Sequence, residues 1–212
     1  MGLSNYQILD FVTVQAVLFF IAKRTIPFMN IRPADMDDLD LVCSLDHSYQ
    51  TDHVWQLSGK VGTEELSAVL RLAKLPRAIT VRPSLDTTAL RRTLHRADHL
   101  WVVEGEVPAG QGLRNIVGYL AMTVLPWQHT GWVTALTVRA DARRKGVATR
   151  LLQIANDQAR SIGLHSITLD VPTKNYPASR MCTSLGMYFC GYSENYYPTH
   201  DIALFFATRI HS

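Results

Sequence analysis

The sequence is short of cysteine. Cys43, Cys182 and Cys190 are the only three, and no two stand at a C-x-x-C spacing. An odd count without that spacing offers neither a disulfide framework nor a zinc site, so no metal is expected. It fits a reducing compartment, and a cytoplasmic location is the expectation. The chain also lacks a strong charge of one sign. A formal net charge of +3 over 212 residues gives no reason to expect nucleic acid as a partner, because basic residues would have to gather on one face. The apolar run at residues 11–22 is shorter than the roughly 20 residues that cross a bilayer, so no stable membrane span is expected. No Lys or Arg precedes it, and Lys23 and Arg24 follow it, which is a poor arrangement for a cleavable signal peptide. Tyr6 stands where a myristoylation motif needs Ser or Thr. Three readings of this segment stay open: an extra helix docked on the domain, an upstream stretch before a native start at Met29, or a helix lying on a membrane surface.

What is there is a well-filled composition. Apolar residues make up 47% of the chain, which argues against disorder. The length suits one domain with a full core, and no repeat or linker divides it. Residues 29–212 are read as that domain and residues 1–28 as an N-terminal extension of open status. A short strand is expected at 30–34. Asp35 then caps a helix with Leu39, Val42, Cys43 and Leu45 on its buried stripe. Residues 49–57 are polar and aromatic, then strand-like. The spacing of Leu66, Val69, Leu70 and Ala73 predicts a helix over 63–73 with Thr63 as its cap. A short extended stretch at 78–81 and an exposed basic helix at 87–96 follow. Strands at 100–104 and 115–125 form a hairpin around the glycine-rich turn 108–112. A strand at 132–138, a helix at 147–162 with Gly163 as its cap, a strand at 166–171, a helix at 177–185 and strands at 188–192 and 202–207 complete the chain. The strand–helix–strand order at 133–171 implies a parallel pair with a right-handed crossover.

The most informative stretch joins that strand to its helix. After Val138 come Arg143, Arg144, Lys145, Gly146, Val147, Ala148 and Thr149. Backbone N–H groups at a helix start are unpaired, and the helix dipole adds partial positive charge there. Gly146 and the small Ala148 let an anion approach, and the three cations suit phosphate. The loop therefore suits a pyrophosphate, although the Walker spacing is absent. The plain alternative is a basic helix start with a turn glycine.

Here the chain resembles the GNAT superfamily of N-acetyltransferases. Arg143-x-x-Gly146-x-Ala148 fits that family's loop motif, and Asn175 followed by Ala178, Met181, Cys182, Leu185, Gly186 and Met187 is similar to its next motif. The resemblance covers about residues 30–207. It implies an α+β fold with a central twisted mixed sheet of about seven strands flanked by helices, and acetyl-CoA as co-substrate. It further implies that the backbone of Leu136, Thr137 and Val138 pairs with the pantetheine arm. The amides from Arg143 to Thr149 would hold the pyrophosphate, and Asn175 would bond the arm. A parallel pair that splays would form the slot. The segments Thr51-Asp52-His53-Val54-Trp55 and 190–206 look like parts of the streptothricin acetyltransferase branch, with Ser193 where that branch has Asp.

The expected reaction moves acetyl from acetyl-CoA to a primary amine of a small molecule or peptide. An alkyl ammonium has a pKa of about 10.4, so a base must take its proton. The positions that carry a carboxylate base in the family fall on Thr134 and Ala135, which cannot serve. Asp170, Glu104 and His129 are the substitutes. Asp170, in the apolar run ITLDV, is either a base tuned by desolvation or a structural Asp bonded to backbone. The family's acid, a Tyr, falls on Cys182, which is either a weak proton donor or a small packing residue; Tyr196 and Tyr197 are other candidates. The resemblance places the oxyanion on the backbone N–H near Val138. Tyr49, Asp52 and Trp55 are candidates for the acceptor site, with core and turn roles as the alternative. A rival reading is a non-catalytic module that binds acyl-CoA and regulates a partner. The oligomeric state is left open, a homodimer included.

Overall fold

The computed structural model describes residues 29–61, 66–84, 86–106 and 114–210. The extension at 1–28, the proposed cap Thr63 and the turn at 108–112 lie outside the described residues. The main sheet has seven strands: β1 (Asn30–Pro33), β4 (His99–Glu104), β5 (Ile116–Leu125), β6 (Thr130–Val138), β7 (Ser166–Pro172), β9 (Ala203–Arg209) and β8 (Tyr188–Ser193), in that spatial order. Every neighbouring pair is antiparallel except β6 and β7, which run parallel. The expected mixed sheet is thus present.

Two cores lie on its two faces. α3 (Val147–Ser161) and α4 (Tyr176–Ser184) bring Leu151, Leu152, Ala155 and Cys182 against Val133, Ile167, Leu169 and Val171. α1 (Asp38–Cys43) and α2 (Thr87–Arg96) bring Leu39, Val42, Leu90 and Leu94 against Val102, Tyr119 and Ala121. Neighbouring residues of β4 and β5 serve opposite cores because side chains alternate across a strand. A fully buried leucine such as Leu151 contributes about 1.5–3 kcal/mol. Ahead of α1, the Asp35 carboxylate accepts from the N–H groups of Asp37 and Asp38; the N-cap is Asp37, so Asp35 ties the turn before the helix and is not the cap expected of it. Asp38 is fully buried and receives both Nη atoms of Arg32 at 2.6 and 2.9 Å. That bidentate bond, helped by Asp35 N–H and Arg114, holds the Asp38 carboxyl down to about 2.

One expected element is different. Residues 63–73 are not a helix: β3 (Leu66–Val81) pairs antiparallel with β2 (Tyr49–Val61), joining Leu57 to Leu70 and Trp55 to Leu72. The helical spacing of Leu66, Val69, Leu70 and Ala73 is accidental. Val69 and Leu72 stay substantially exposed, and Leu70 reaches the main core. A short apolar run takes the geometry of its hydrogen-bond partner, and here β2 supplies one. Pro76, which has no N–H to give, falls where residues 75–78 bulge out opposite Asp52.

Candidate active site

β6 positions the site. It follows β5 along its length, but its pairing with β7 ends at Val133 and Leu169. The β5 register also shifts around Thr134, between the pairs Ala121–Ala135 and Met122–Val133. This bulge bends β6 away from β7. From Thr134 to Val138 the β7-facing edge of β6 has no strand partner among the described residues. Leu136, Thr137 and Val138 lie half-buried on that stretch. Apart from Val138 O, which takes the Arg143 guanidinium, the backbone groups on this edge suit an extended arm that adds like a strand.

β6 then runs into a short turn at Ala140–Ala142 and the start of α3. Arg144 and Gly146 adopt left-handed backbone angles, φ 63° and 83°. These turn the chain so that the amides of Arg144, Lys145, Gly146, Val147, Ala148 and Thr149 meet no backbone acceptor among the described residues. Arg144, Lys145 and Gly146 are exposed. At Gly146 the requirement is conformational rather than spatial, since an added Cβ would touch nothing within 4 Å. Arg143 has a different use. Its amide bonds Ala140 O, and its guanidinium donates to Val138 O at 2.7 Å and to Asp46 O at 3.3 Å. It braces the loop, and the open run begins one residue later than the sequence suggests. Asn175 caps α4, its Oδ1 accepting from Ala178 N at 3.2 Å. Its amide nitrogen donates to nothing among the described residues. Open amides, exposed cations and a free strand edge fit the diphosphate and the amide-bearing arm of acetyl-CoA.

The residues considered for proton transfer are dispersed. Glu104 is held by Arg32 at 2.7 Å and Asn30 at 2.8 Å, and the Arg32 bond keeps its carboxyl below the usual range. His129 stacks on His165, with ring centroids 4.8 Å apart, beside the Thr130–Ser166 pair at the other end of β6. Cys182 is fully buried in the core, and burial pushes its thiol up to about 12. Asp170 is different. It follows Leu169, so it stands where β6 and β7 part. Tyr197 Oη donates to its Oδ2 at 2.6 Å and Trp132 Nε1 to its Oδ1 at 3.4 Å. Burial raises its pKa, and the two donors oppose that shift. Tyr196, partly exposed, packs edge-on to Tyr197 at 5.1 Å and to Phe205 at 5.4 Å, and Trp132 packs edge-on to Phe205 at 5.7 Å. Burial, then the Asp170 charge, raises the phenols of Tyr196 and Tyr197.

Of the acceptor candidates, Tyr49 belongs with this group. It is half-buried, its phenol pushed up to about 12 by burial and by Asp201. Asp52 is exposed and bonds His53 Nδ1 at 2.8 Å. Trp55 instead anchors the β2–β3 hairpin: its N–H bonds Thr173 O at 3.0 Å and its Nε1 bonds Ser179 Oγ at 3.0 Å. Sequence reasoning missed Trp132 and Lys174. Trp132 lies on β6 two residues before Thr134, and the register shift at Thr134 breaks the alternation that would relate the two. Lys174 pairs with Asp201 at 2.5 Å, a contact no local pattern announces.

A sheet that opens between two parallel strands, beside an uncovered helix start, is the architecture of an acyl-coenzyme A acyltransferase. The sequence agrees: residues 66–187 match the profile of the Acetyltransferase (GNAT) family, and the chain belongs to that family. It is an N-acetyltransferase with acetyl-CoA as co-substrate. No curated protein matches the sequence. Among solved structures the fold is similar to that of nourseothricin acetyltransferase, with TM-score 0.72 and 20% identity over 86% of this chain and 99% of that one. It is also similar to a Bacillus anthracis str. Ames protein assigned as a streptothricin acetyltransferase, in complex with acetyl coenzyme A (0.66, 17%, 86% and 99%). A third is the ribosomal-protein-S18-alanine N-acetyltransferase of Escherichia coli (0.58, 16%, 87% and 95%). Among the described residues no helix is long and apolar enough to cross a membrane.

Proposed function

We propose that the chain transfers the acetyl group of acetyl-CoA directly to a primary amine of a small molecule or peptide, with Asp170 as the base. One observation carries this reading: Asp170 is a desolvated carboxylate at the fork of β6 and β7, held by donors from two different elements. An arm that starts at the Arg144–Thr149 amides and follows the open edge of β6 back toward Thr134 brings its thioester to that fork. The acceptor ammonium gives a proton to Asp170, and its nitrogen attacks the thioester carbon. A backbone N–H of the open edge at the fork, nearer Thr134 than the Val138 position the resemblance implied, supports the oxyanion. The C–N bond forms and the C–S bond then breaks, and the departing thiolate takes the surplus proton of the newly bonded nitrogen, directly or through water. Cys182, buried in the core, serves as packing in this scheme. The aromatic rings and Tyr49 form the acceptor wall.

Asp170→Asn keeps the shape and removes the base. The expected result is a fall of about a hundredfold or more in kcat/KM, followed as free thiol release against a panel of amines, with loss of the acid limb of the pH profile. A wild-type rate in a folded Asp170→Asn protein overturns the assignment.

A further inference from the structure

We infer that Tyr197 is a positioning residue for the proposed base: its hydroxyl fixes Oδ2 of Asp170, so that Oδ1 is the oxygen turned to the acceptor amine. The inference rests on Asp170 being the base, and it adds a residue and an orientation to that reading. The two carboxylate oxygens are treated unequally. Oδ2 accepts the Tyr197 hydroxyl at 2.6 Å, at the short end for such a bond, as expected when the acceptor is ionised. Among the described residues Oδ1 takes the long 3.4 Å contact from Trp132, with Tyr196 a weaker donor near the carboxylate, and it keeps capacity for a further donor.

The segment carrying Tyr197 is built to deliver it. Tyr197 follows β8, whereas Asp170 is on β7, and β9 lies between those strands. The chain crosses β9 to make the bond. Asn195 and His200 take left-handed backbone angles, φ 52° and 59°, and these cost energy for residues other than glycine. The turn is closed by His200 N–H on Tyr197 O at 2.8 Å and by Tyr197 N–H on Asp201 O at 3.4 Å. Lys174, one residue before Asn175, then clamps Asp201 at 2.5 Å. The loop that presents Tyr197 is therefore tied next to the residue expected to meet the cofactor arm.

The surroundings of Asp170 make a pH readout specific. The 194–202 segment contributes Tyr196, Tyr197 and the Lys174-paired Asp201, and β2 contributes Tyr49. β6 and β9 contribute Trp132 and Phe205, which do not titrate. In this setting, loss of the Tyr197 hydroxyl removes a donor to the charged form of Asp170 and makes the proton harder to release.

Tyr197→Phe tests this through two readouts. The acid limb of kcat/KM should move up by about one pH unit, the worth of one hydrogen bond to a charged group, while the plateau rate falls less than about threefold and the KM for acetyl-CoA holds. Carbon-13 NMR of aspartate-labelled protein should show the Asp170 carboxyl titrating higher by the same amount. A ring-fluorinated tyrosine at 197, a stronger donor of nearly the same shape, should move both downward, which keeps the test valid if the Phe variant fails to fold. An unmoved limb and carboxyl overturn the inference. So does a uniform loss of about a hundredfold with no shift, which would make Tyr197 itself the proton donor. The base assignment fails separately: if Asp170→Asn keeps its rate while Tyr197→Phe still shifts the carboxyl titration, the bond orients Asp170 but Asp170 is not the base.

Discussion

The junction at residues 138–149 and the β2–β3 hairpin both offer backbone to the surface, yet they are made in opposite ways. The junction is local: a strand end, two left-handed residues and a helix start leave a run of amides open within a dozen positions of chain. The hairpin takes its place from afar, through Trp55 on Ser179, 124 residues away, and through His53 against Tyr176, ring centroids 4.8 Å apart. The proposed cofactor half of the site is thus written in neighbouring residues, whereas the proposed acceptor half is assembled by tertiary contacts. A substitution that acts on one half alone is the sharpest check of that division.

Gly146→Asp should have the largest effect, confined to the cofactor half. It places a Cβ at φ 83° and a negative charge beside the open amides proposed to hold phosphate. A loss of at least about a hundredfold in acetyl-CoA affinity is expected, about 3 kcal/mol, measured by titration calorimetry. Because the new side chain meets no protein atom within 4 Å, thermal stability should fall by no more than the strain of the turn. Unchanged affinity would break the comparison at its stronger end.

The same division decides what was legible beforehand. The loop, the parallel β6–β7 pair and α2 announce themselves through glycine and period, both local signals, whereas the resemblance assigns Asn175 to the cofactor arm and not to the helix cap it forms. The β3 strand does not. Its Leu and Ala spacing fits a helix, and only the β2 partner, unseen in a local window, decides otherwise. Asp170 could be named from its apolar neighbours, but the donors that hold it could not. Trp132 and Tyr197 lie 38 and 27 positions away, and their convergence depends on β7 running between β6 and β9. Glu104 and His129 stand as substitutes beside Asp170 until Arg32 and the far end of β6 account for them.

Trp55→Phe probes the acceptor half with an intermediate effect. It removes the Nε1 bond to Ser179 and keeps most of the ring packing. One buried hydrogen bond is worth about 1 kcal/mol, so hairpin docking should weaken about fivefold. The KM for the amine should rise by a similar factor, and the KM for acetyl-CoA should not. Equal rises in both would mean that the hairpin is mechanically joined to the cofactor slot through α4, and the two halves would no longer be separable.

Cys182 lies between the halves, on the buried side of α4, and its variant should show the smallest effect on rate. A proton donor must reach the leaving sulfur and release its proton near the working pH. Cys182 is fully buried among core residues, and its thiol is pushed up to about 12 against an ordinary value of about 8.5. Both facts make it a packing residue. Cys182→Ala should therefore keep kcat within about threefold of wild type while costing about 1 kcal/mol of stability in thermal unfolding, from the small void it leaves. A drop of about a hundredfold in kcat at unchanged stability would give Cys182 the acid's role and tie the core of α4 to the chemistry. The cofactor and acceptor halves would then share a residue, and the local and long-range parts of the site could not be varied independently.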